Sequence, residues 1–402
     1  MSYLYWISGI VLGLAWLSRI VDAAFGMPSV ADVSLPAWDR NPVSPAGNPR
    51  VSVIVPARNE EAAIEQGLRS LLALDYDNYE VIAVNDRSTD RTGEIMASLQ
   101  KDHHLLQKRP EVGHPLESVL KVIHHTELPP GWLGKTHAMW TAANQASGEW
   151  LLFTDADVLF KPQSLRRALA YAETEHADHV VLFPQMIMHS PGERMMIAFF
   201  QTLFVFGHRP WKVADPKSKD HMGVGAFNLV RRRAYESVGT YQALRMEVVD
   251  DMKLGKVVKN AGFAQRNVFG GDLISIHWGR GAMGIVNNLT KNFFAVLSFQ
   301  WVRALLSAFG LAFLNLGPFL GTWLAHGWIR LPYAVALGSM FAIYVGMSRR
   351  SSVRPYYFLL HPVSTLLFTY TLLRSMFLAL SNDGIVWRGT KYPLEELRKG
   401  LV

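Results

Sequence analysis

Apolar positions along this 402-residue chain fall into three regimes. Residues 3–21 form one apolar stretch running through Trp6, Ile10, Leu14 and Leu17. No basic segment precedes it and no clear small-residue cleavage site follows, so 1–27 reads as a retained membrane anchor rather than a cleaved signal. Pro28, Pro36, Pro42, Pro45 and Pro49 then mark a polar linker over 28–49, expected to be extended rather than helical. From residue 51 the pattern alternates. Residues 51–55 (Val-Ser-Val-Ile-Val) are short and β-branched, as in a strand buried within a parallel sheet. Strands are also expected over 79–84, 119–123, 150–154 and 179–183, and helices over 60–72, 92–99, 137–146 and 163–173. That alternation predicts an α/β fold with right-handed crossovers. In such sheets ligands sit beyond the carboxyl ends of the strands, where the polar residues of this region cluster.

The third regime begins near residue 293. Stretches 304–325, 331–347 and 356–380 each approach the ~17–25 apolar residues that a membrane helix needs. The organisation expected is therefore an anchor (1–27), a linker (28–49), an α/β domain (50–292), a membrane region (293–384) and a basic tail (385–402). The basic loop 348–354, with Arg349, Arg350 and Arg354, should face the cytoplasm. If the anchor leaves 30–300 in the cytoplasm, the loop lands on the same face of a plasma (inner) membrane. Three full crossings would put the tail opposite, although it carries Arg388, Lys391, Arg398 and Lys399. Pro362 and Arg374 leave a re-entrant or interfacial third stretch open.

Composition agrees with a membrane protein: 50% hydrophobic, 18% charged and 12 Trp. The net charge of +7 comes with neither a basic patch nor an aromatic-interleaved basic run, which argues against a nucleic-acid partner. An anionic membrane face and a phosphate-bearing substrate explain it more simply. The absence of cysteine excludes disulfides, thiolate zinc sites and a cysteine nucleophile.

Four polar clusters carry candidate chemistry. Asp155 and Asp157 follow the apolar run 151–154 at spacing i, i+2, a short turn that can aim both carboxylates at one hard divalent cation. Asn85-Asp86-Arg87-Ser88-Thr89-Asp90 also follows a strand and opens a helix; Asp86 could accept from a base N–H, while Ser88 or Asp90 caps the helix. Pro56-Ala57-Arg58-Asn59-Glu60 follows the first strand, in a position that suits anions and polar nucleotide edges. Asp250 and Asp251 adjoin at the start of a helix expected over 252–260. A carboxylate held beside another and partly desolvated has a raised pKa, as a general base requires. Each cluster alone is ordinary turn or cap chemistry; their succession at strand ends is not.

Taken together, these blocks resemble family 2 glycosyltransferases of the GT-A fold, a Rossmann-like, mostly parallel sheet. Further matching blocks are 129–135 (Pro-Pro-Gly-Trp-Leu-Gly-Lys), 223–227 (Gly-Val-Gly-Ala-Phe) and 387–392 (Trp-Arg-Gly-Thr-Lys-Tyr). The branch it is most similar to is membrane-bound and glycosylates lipids, including ceramide glucosyltransferase-like, hopanoid- and carotenoid-associated enzymes. The resemblance implies a nucleotide-sugar donor, UDP-linked in preference to GDP-linked, and an acceptor hydroxyl on a membrane lipid. It implies Asp86 at the nucleotide base with Pro56, Asn59, Glu60 and Ser88 around it, and Mg²⁺ or Mn²⁺ on Asp155 and Asp157. Lys135 is implied at phosphate or sugar, and Asp251 as general base beside Asp250, which replaces the usual Glu. The Gln/Arg-x-x-Arg-Trp block of processive enzymes is not found in full. Its place is held by Ile276-His277-Trp278-Gly279-Arg280, followed by Lys291-Asn292. His277 is a further candidate for metal or phosphate, and Arg280 and Lys291 for the leaving diphosphate. A polyprenyl-phosphate or polysaccharide glycosyltransferase and an inactive membrane scaffold are the alternatives.

Overall fold

The run of β-branched residues from Val51 forms the strand β1 (Val51–Ala57), whose first five residues are buried. The computed structural model describes residues 2–42, 47–107 and 119–402; Pro45 of the linker lies outside them. Further strands are β2 (Tyr79–Asp86), β3 (Leu120–His125), β4 (Trp150–Phe153), β5 (Leu159–Phe160), β6 (His179–Phe183), β7 (Gln185–Met186), β8 (Asn228–Arg231), β9 (Gln265–Phe269) and β10 (Ile274–Ile276). The main sheet has the order β3-β2-β1-β4-β8-β6-β9, and a small sheet has β5-β10-β7. Strand β1 pairs in parallel with β2 and β4, placing Val53 beside Val81 and Leu152. Strand β8 runs antiparallel between β4 and β6. Four residues bounded by Asn and Arg gave no periodicity from which to expect it.

Helices α1 (Ser2–Gly26), α2 (Ile64–Leu72), α3 (Thr92–Gln107), α4 (Gly134–Gln145), α5 (Ser164–Thr174), α6 (Pro191–Gly207), α7 (Arg232–Ser237), α8 (Thr240–Ala243), α9 (Asp250–Asn260) and α10 (Gly281–Val296) accompany the sheets. Ile64, Leu68, Met96, Leu165 and Leu169 pack on one face of the main sheet, and Ala138, Ala142, Tyr235, Leu254 and Val258 on the other. Two apolar faces covered by helices explain why the central strands read as unbroken apolar runs.

Two expectations change. Helix α2 starts at Ile64 rather than 60, because Asn59 takes a left-handed φ of 53°. The N–H groups of Glu60 and Glu61 then turn to Thr92 and Asp90 on the neighbouring loop (2.7 and 3.1 Å). The linker is not simply extended. Its prolines open two 3₁₀ turns, Met27–Ser29 and Pro36–Trp38, since proline's fixed φ suits a first helical turn. Between them Val33 N–H donates to Phe269 O at 2.8 Å, and Val33 is fully buried.

Beyond α10 come α11 (Trp301–Leu324), α12 (Arg330–Ser348) and α13 (His361–Ser381), with a six-residue 3₁₀ turn, Pro355–Leu360, before α13. Four helical segments are long and apolar enough to cross a membrane: 3–29, 301–324, 327–348 and 355–381. A buried polar cluster ties three of them, with His361 bonded to Asn315 and to Tyr344 (both 3.0 Å). Helix α10 runs across position 293, where the membrane region was expected to begin. The final residues form a hairpin, β11 (Gly384–Trp387) with β12 (Thr390–Pro393), and the helix α14 (Leu394–Lys399).

One buried group makes fold stability depend on pH. His179 joins three strands, bonding Asn228 of β8 (3.0 Å) and Gln265 of β9 (2.7 Å). Burial pulls its pKa from 6.5 down to about 4. Across that window the unfolded chain binds a proton that the folded one does not, so stability falls as pH is lowered. Thermal unfolding of a His179→Gln variant in detergent should therefore show a flatter pH dependence between pH 6.5 and 4 than the unaltered protein.

Candidate active site

The carboxyl ends of β1, β2 and β4 deliver their loops to one rim. Strand β4 ends at Phe153, and the next turn presents Asp155 and Asp157 while Ala156 packs into the core. Asp155 N–H donates to Gly225 O (3.0 Å), and Thr154 Oγ1 donates to Ala226 O (2.8 Å). A side chain at Gly225 would collide with the Asp155 carboxylate, and one at Gly223 with the backbone of Asp251. The 223–225 block is thus the close approach that lets strand-end and helix-start acids share one space.

Asp250 and Asp251 open α9, so the expected helix begins two residues early. The Asp251 carboxylate accepts from Met252 N–H at 2.8 Å. Burial raises the carboxyl pKa of both acids, against the pull of Lys135. Lys135, in the first turn of α4, puts its ammonium 2.8 Å from Asp155 and 3.4 Å from Asp250. Burial opposes its protonation, but Asp155, Asp250 and Asp251 outweigh that and keep it charged. Burial likewise opposes ionisation of Asp155, yet Lys135 holds its carboxyl below the usual range. Among the described residues Asp157 has no ion-pair partner: burial, then the charges of Asp155 and Glu60, push it up to about 7.

Among the described residues no three His, Cys, Asp or Glu side chains converge as a metal cage. Two carboxylates, one of them raised by burial and by its acidic neighbours, do fit a hard cation that takes its other ligands from a diphosphate.

Asp86 ends β2 almost fully buried, and Arg87 grips it with Nε and Nη2 at 2.8 and 3.0 Å. Pro56, Glu60, Asp86, Lys135, Asp155, Asp157, Asp250, Asp251 and Lys291 line one cavity of about 2290 Å³. Asn59 and Ser88 do not line it. Asn59 N–H donates to Ser88 Oγ (3.0 Å) and Asn59 Oδ1 accepts from Thr89 N–H (2.8 Å), which locks the two loops together. His277 and Arg280 are also off the cavity wall. His277 stands 3.5 Å from Glu193, and Arg280 is the exposed residue preceding α10.

Sequence reasoning gave the tail no contact with the site. Arg388 forms an ion pair with Glu60 and donates to Asn59 O at 3.1 Å. Thr390 accepts from Arg58 (3.0 Å), and Tyr392 OH accepts from Gly134 N–H (3.1 Å). Lys291 Nζ lies 3.9 Å from the centre of the Trp387 ring, a cation–π contact. Burial and the Lys135 charge pull the Lys291 ammonium down to about 8. The only forward signal was the block 387–392 itself.

The cavity wall changes character away from the acids. Phe200 and Phe204 of α6, Leu289 and Phe293 of α10, and Ile343 and Met347 of α12 continue it as an apolar surface.

A mostly parallel sheet with acids at its strand ends and four long apolar helices defines a GT-A-like fold with membrane-associating segments. Residues 52–239 match the family described as Glycosyl transferase family 2. It is similar to a 4,4'-diaponeurosporenoate glycosyltransferase of Staphylococcus haemolyticus, 24% identical over 51% of this chain and 50% of the relative. A probable glycosyltransferase of Bacillus subtilis, YdaM, is 32% identical over 37% of this chain and 33% of its own length. The chain thus spans half or less of these two curated relatives. The mannosyltransferase PcManGT of Pyrobaculum calidifontis, solved in complex with GDP-Man and Mn²⁺, shares the fold. Its TM-score is 0.53, with 20% identity over 94% of this chain and 99% of that one.

The raised Asp157 carboxyl yields a prediction. Between the ordinary value of 3.8 and about 7 the metal-free folded protein holds a proton that the unfolded chain gives up, so stability falls as pH rises through that window. Asp157→Asn should raise the unfolding midpoint of metal-free protein above pH 7 and shrink the further rise caused by Mn²⁺ with UDP. Scanning fluorimetry measures both.

Proposed function

We propose that this protein is an inverting glycosyltransferase that moves a sugar from a nucleotide-sugar, UDP-linked in preference to GDP-linked, to a hydroxyl of a membrane lipid. One observation carries the reading: a single cavity joins the acid cluster to apolar walls supplied by α6, α10 and α12. A sugar donor needs the first surface and a lipid chain the second. The family 2 domain and the glycosyltransferase names of the relatives support the reaction class.

In this reading the nucleotide lies across the β1 and β2 loops, beside Pro56 and Asp86, with Glu60 at their edge. The acceptor hydroxyl rises from the membrane side towards Asp251. Asp251 removes its proton while the oxygen attacks the anomeric carbon, and the bond to the nucleotide diphosphate breaks as the new one forms. Burial raises the proton affinity of Asp251, which suits that task. The Met252 N–H, donating to its carboxylate at 2.8 Å, positions it. Lys135, Lys291 and Arg388 are the cations at hand for the departing diphosphate. Mg²⁺ or Mn²⁺, held by Asp155 and Asp157, would neutralise diphosphate charge when bound. The basic loop with Arg349 and Arg350 supports a catalytic side at the cytoplasmic face of a plasma membrane.

The test is transfer from radiolabelled UDP-sugars to lipid extracts in detergent. Asp251→Asn should cut transfer about 10²–10⁴-fold and leave UDP binding unchanged. Retention of most activity would overturn the hydroxyl acceptor in favour of a phosphate, whose oxygen needs no base. Arg388→Ala, which removes one charge-assisted contact, should raise the donor KM by about tenfold or more and affect kcat less. Initial-rate kinetics separate the two parameters.

A further inference from the structure

Helix α13 is apolar enough to cross a membrane, yet the loop before it and the hairpin after it both rest on the same face of the catalytic unit. Ahead of it, Arg350 stands over the ring of Phe269, at the end of β9, with 4.3 Å to the ring centre. Ser351 and Ser352 line the active-site cavity together with Gly271 and Asp272. After it, the hairpin that begins at Gly384 is bonded to Arg58 and Gly134 at the strand ends. The helix also lies along α10, α11 and α6. Ser364 Oγ donates to Met195 O (3.4 Å), Arg374 donates to Asn287 and Thr290 (2.7 and 3.2 Å), and Ser375 Oγ accepts from Phe294 N–H (2.9 Å).

A segment that leaves one face of a bilayer and ends on that same face has crossed an even number of times. One helix without an internal turn cannot cross twice. We propose that α13 is an interfacial helix embedded in the leaflet on the catalytic side, and that α1, α11 and α12 are the helices that cross. The inference goes beyond the proposed activity and holds whatever the sugar and the acceptor are.

The sides of α13 fit that placement. Val363, Leu366, Tyr370, Leu373, Phe377 and Leu380 are exposed at alternating spacings of three and four, one continuous stripe. Ser364, Thr365, Thr371 and Ser375 are buried against the protein. An apolar stripe of this length needs a cover, and a lipid leaflet supplies one along its whole length. Arg374 lies in the second half of the helix, well clear of its ends; a crossing path would draw a guanidinium into hydrocarbon, a costly site. At the surface it stays at headgroup depth. Arg349, Arg350 and Arg354 precede the helix, where anionic headgroups would meet them.

The chain has no cysteine, so single substitutions report position cleanly. Lys101→Cys marks the catalytic domain, His326→Cys the α11–α12 turn, Ser352→Cys the α12–α13 loop and Glu396→Cys the tail; all four residues are exposed. A membrane-impermeant maleimide is applied to right-side-out and inside-out vesicles, with detergent-solubilised protein giving full labelling. Positions 101, 352 and 396 should label from one face and lose labelling from the other, with 326 reversed. Labelling of 396 opposite to 101, or of 352 opposite to 101, overturns the proposal. A second measurement places nitroxides at 363, 366, 370, 373 and 377 in phosphatidylcholine–phosphatidylglycerol vesicles and reads collision with oxygen against a water-soluble nickel complex. Depths within the catalytic-side leaflet are expected, greatest at 363, next to the contact of His361 with Asn315 of α11, and least at 377. A depth maximum at mid-helix, or exclusion of both reagents because a second copy or a protein partner covers the stripe, overturns it.

Discussion

The buried ammonium of Lys135 is the contact on which the site's geometry depends. It touches Asp155 at the end of β4 and Asp250 at the start of α9, elements separated by almost a hundred residues. Without a cation between them, two desolvated carboxylates would repel each other and one would take up a proton. With it, Asp155 stays ionised and Asp250 and Asp251 sit close enough to share a pocket. The glycines at 223 and 225 make that approach sterically possible. Charge and clearance act together here, and neither alone would bring strand end and helix start to one point.

That acid cluster forms one wall of a space whose opposite wall is apolar, and the same helices serve two solvents. Helices α6 and α10 pack their apolar faces against α11, α12 and α13 while their other residues border the acids. A lipid-borne hydroxyl would need to rise only to headgroup level, and a water-soluble donor would arrive from the other side. The C-terminal hairpin closes the arrangement by bringing Trp387, Arg388 and Tyr392 to the loops after β1 and β2 and to the start of α4. Arg388 and Lys291 add positive charge beside Lys135, where a diphosphate would otherwise face a ring of carboxylates.

Local patterns carried much of this to the reader of the sequence. Parallel strands buried on both faces betray themselves as β-branched runs, and the Asp155–Asp157 turn needs only two residues and the strand before it. Asp250 and Asp251 were legible for the same reason, since adjacent acids at a helix start are a local feature. The four long apolar segments follow from composition alone. Long-range facts were not legible. Arg388 meets Glu60 across 328 positions, and no periodicity encodes such a pair. The antiparallel β8 was invisible because four residues cannot establish a period. His277 and Arg280, chosen from their place after the base block, sit against Glu193 and ahead of α10, off the cavity wall.

The sequence by itself determined the α/β class, the acids at the strand ends and the amount of apolar helix, because each is written in neighbours within a turn or a strand. Tertiary structure alone decided that Arg87 grips Asp86, that Asn59 and Ser88 lock loops instead of facing the cavity, and that the tail returns to the site. These outcomes depend on which distant groups share a buried volume, and burial sets the strength of every charge within it.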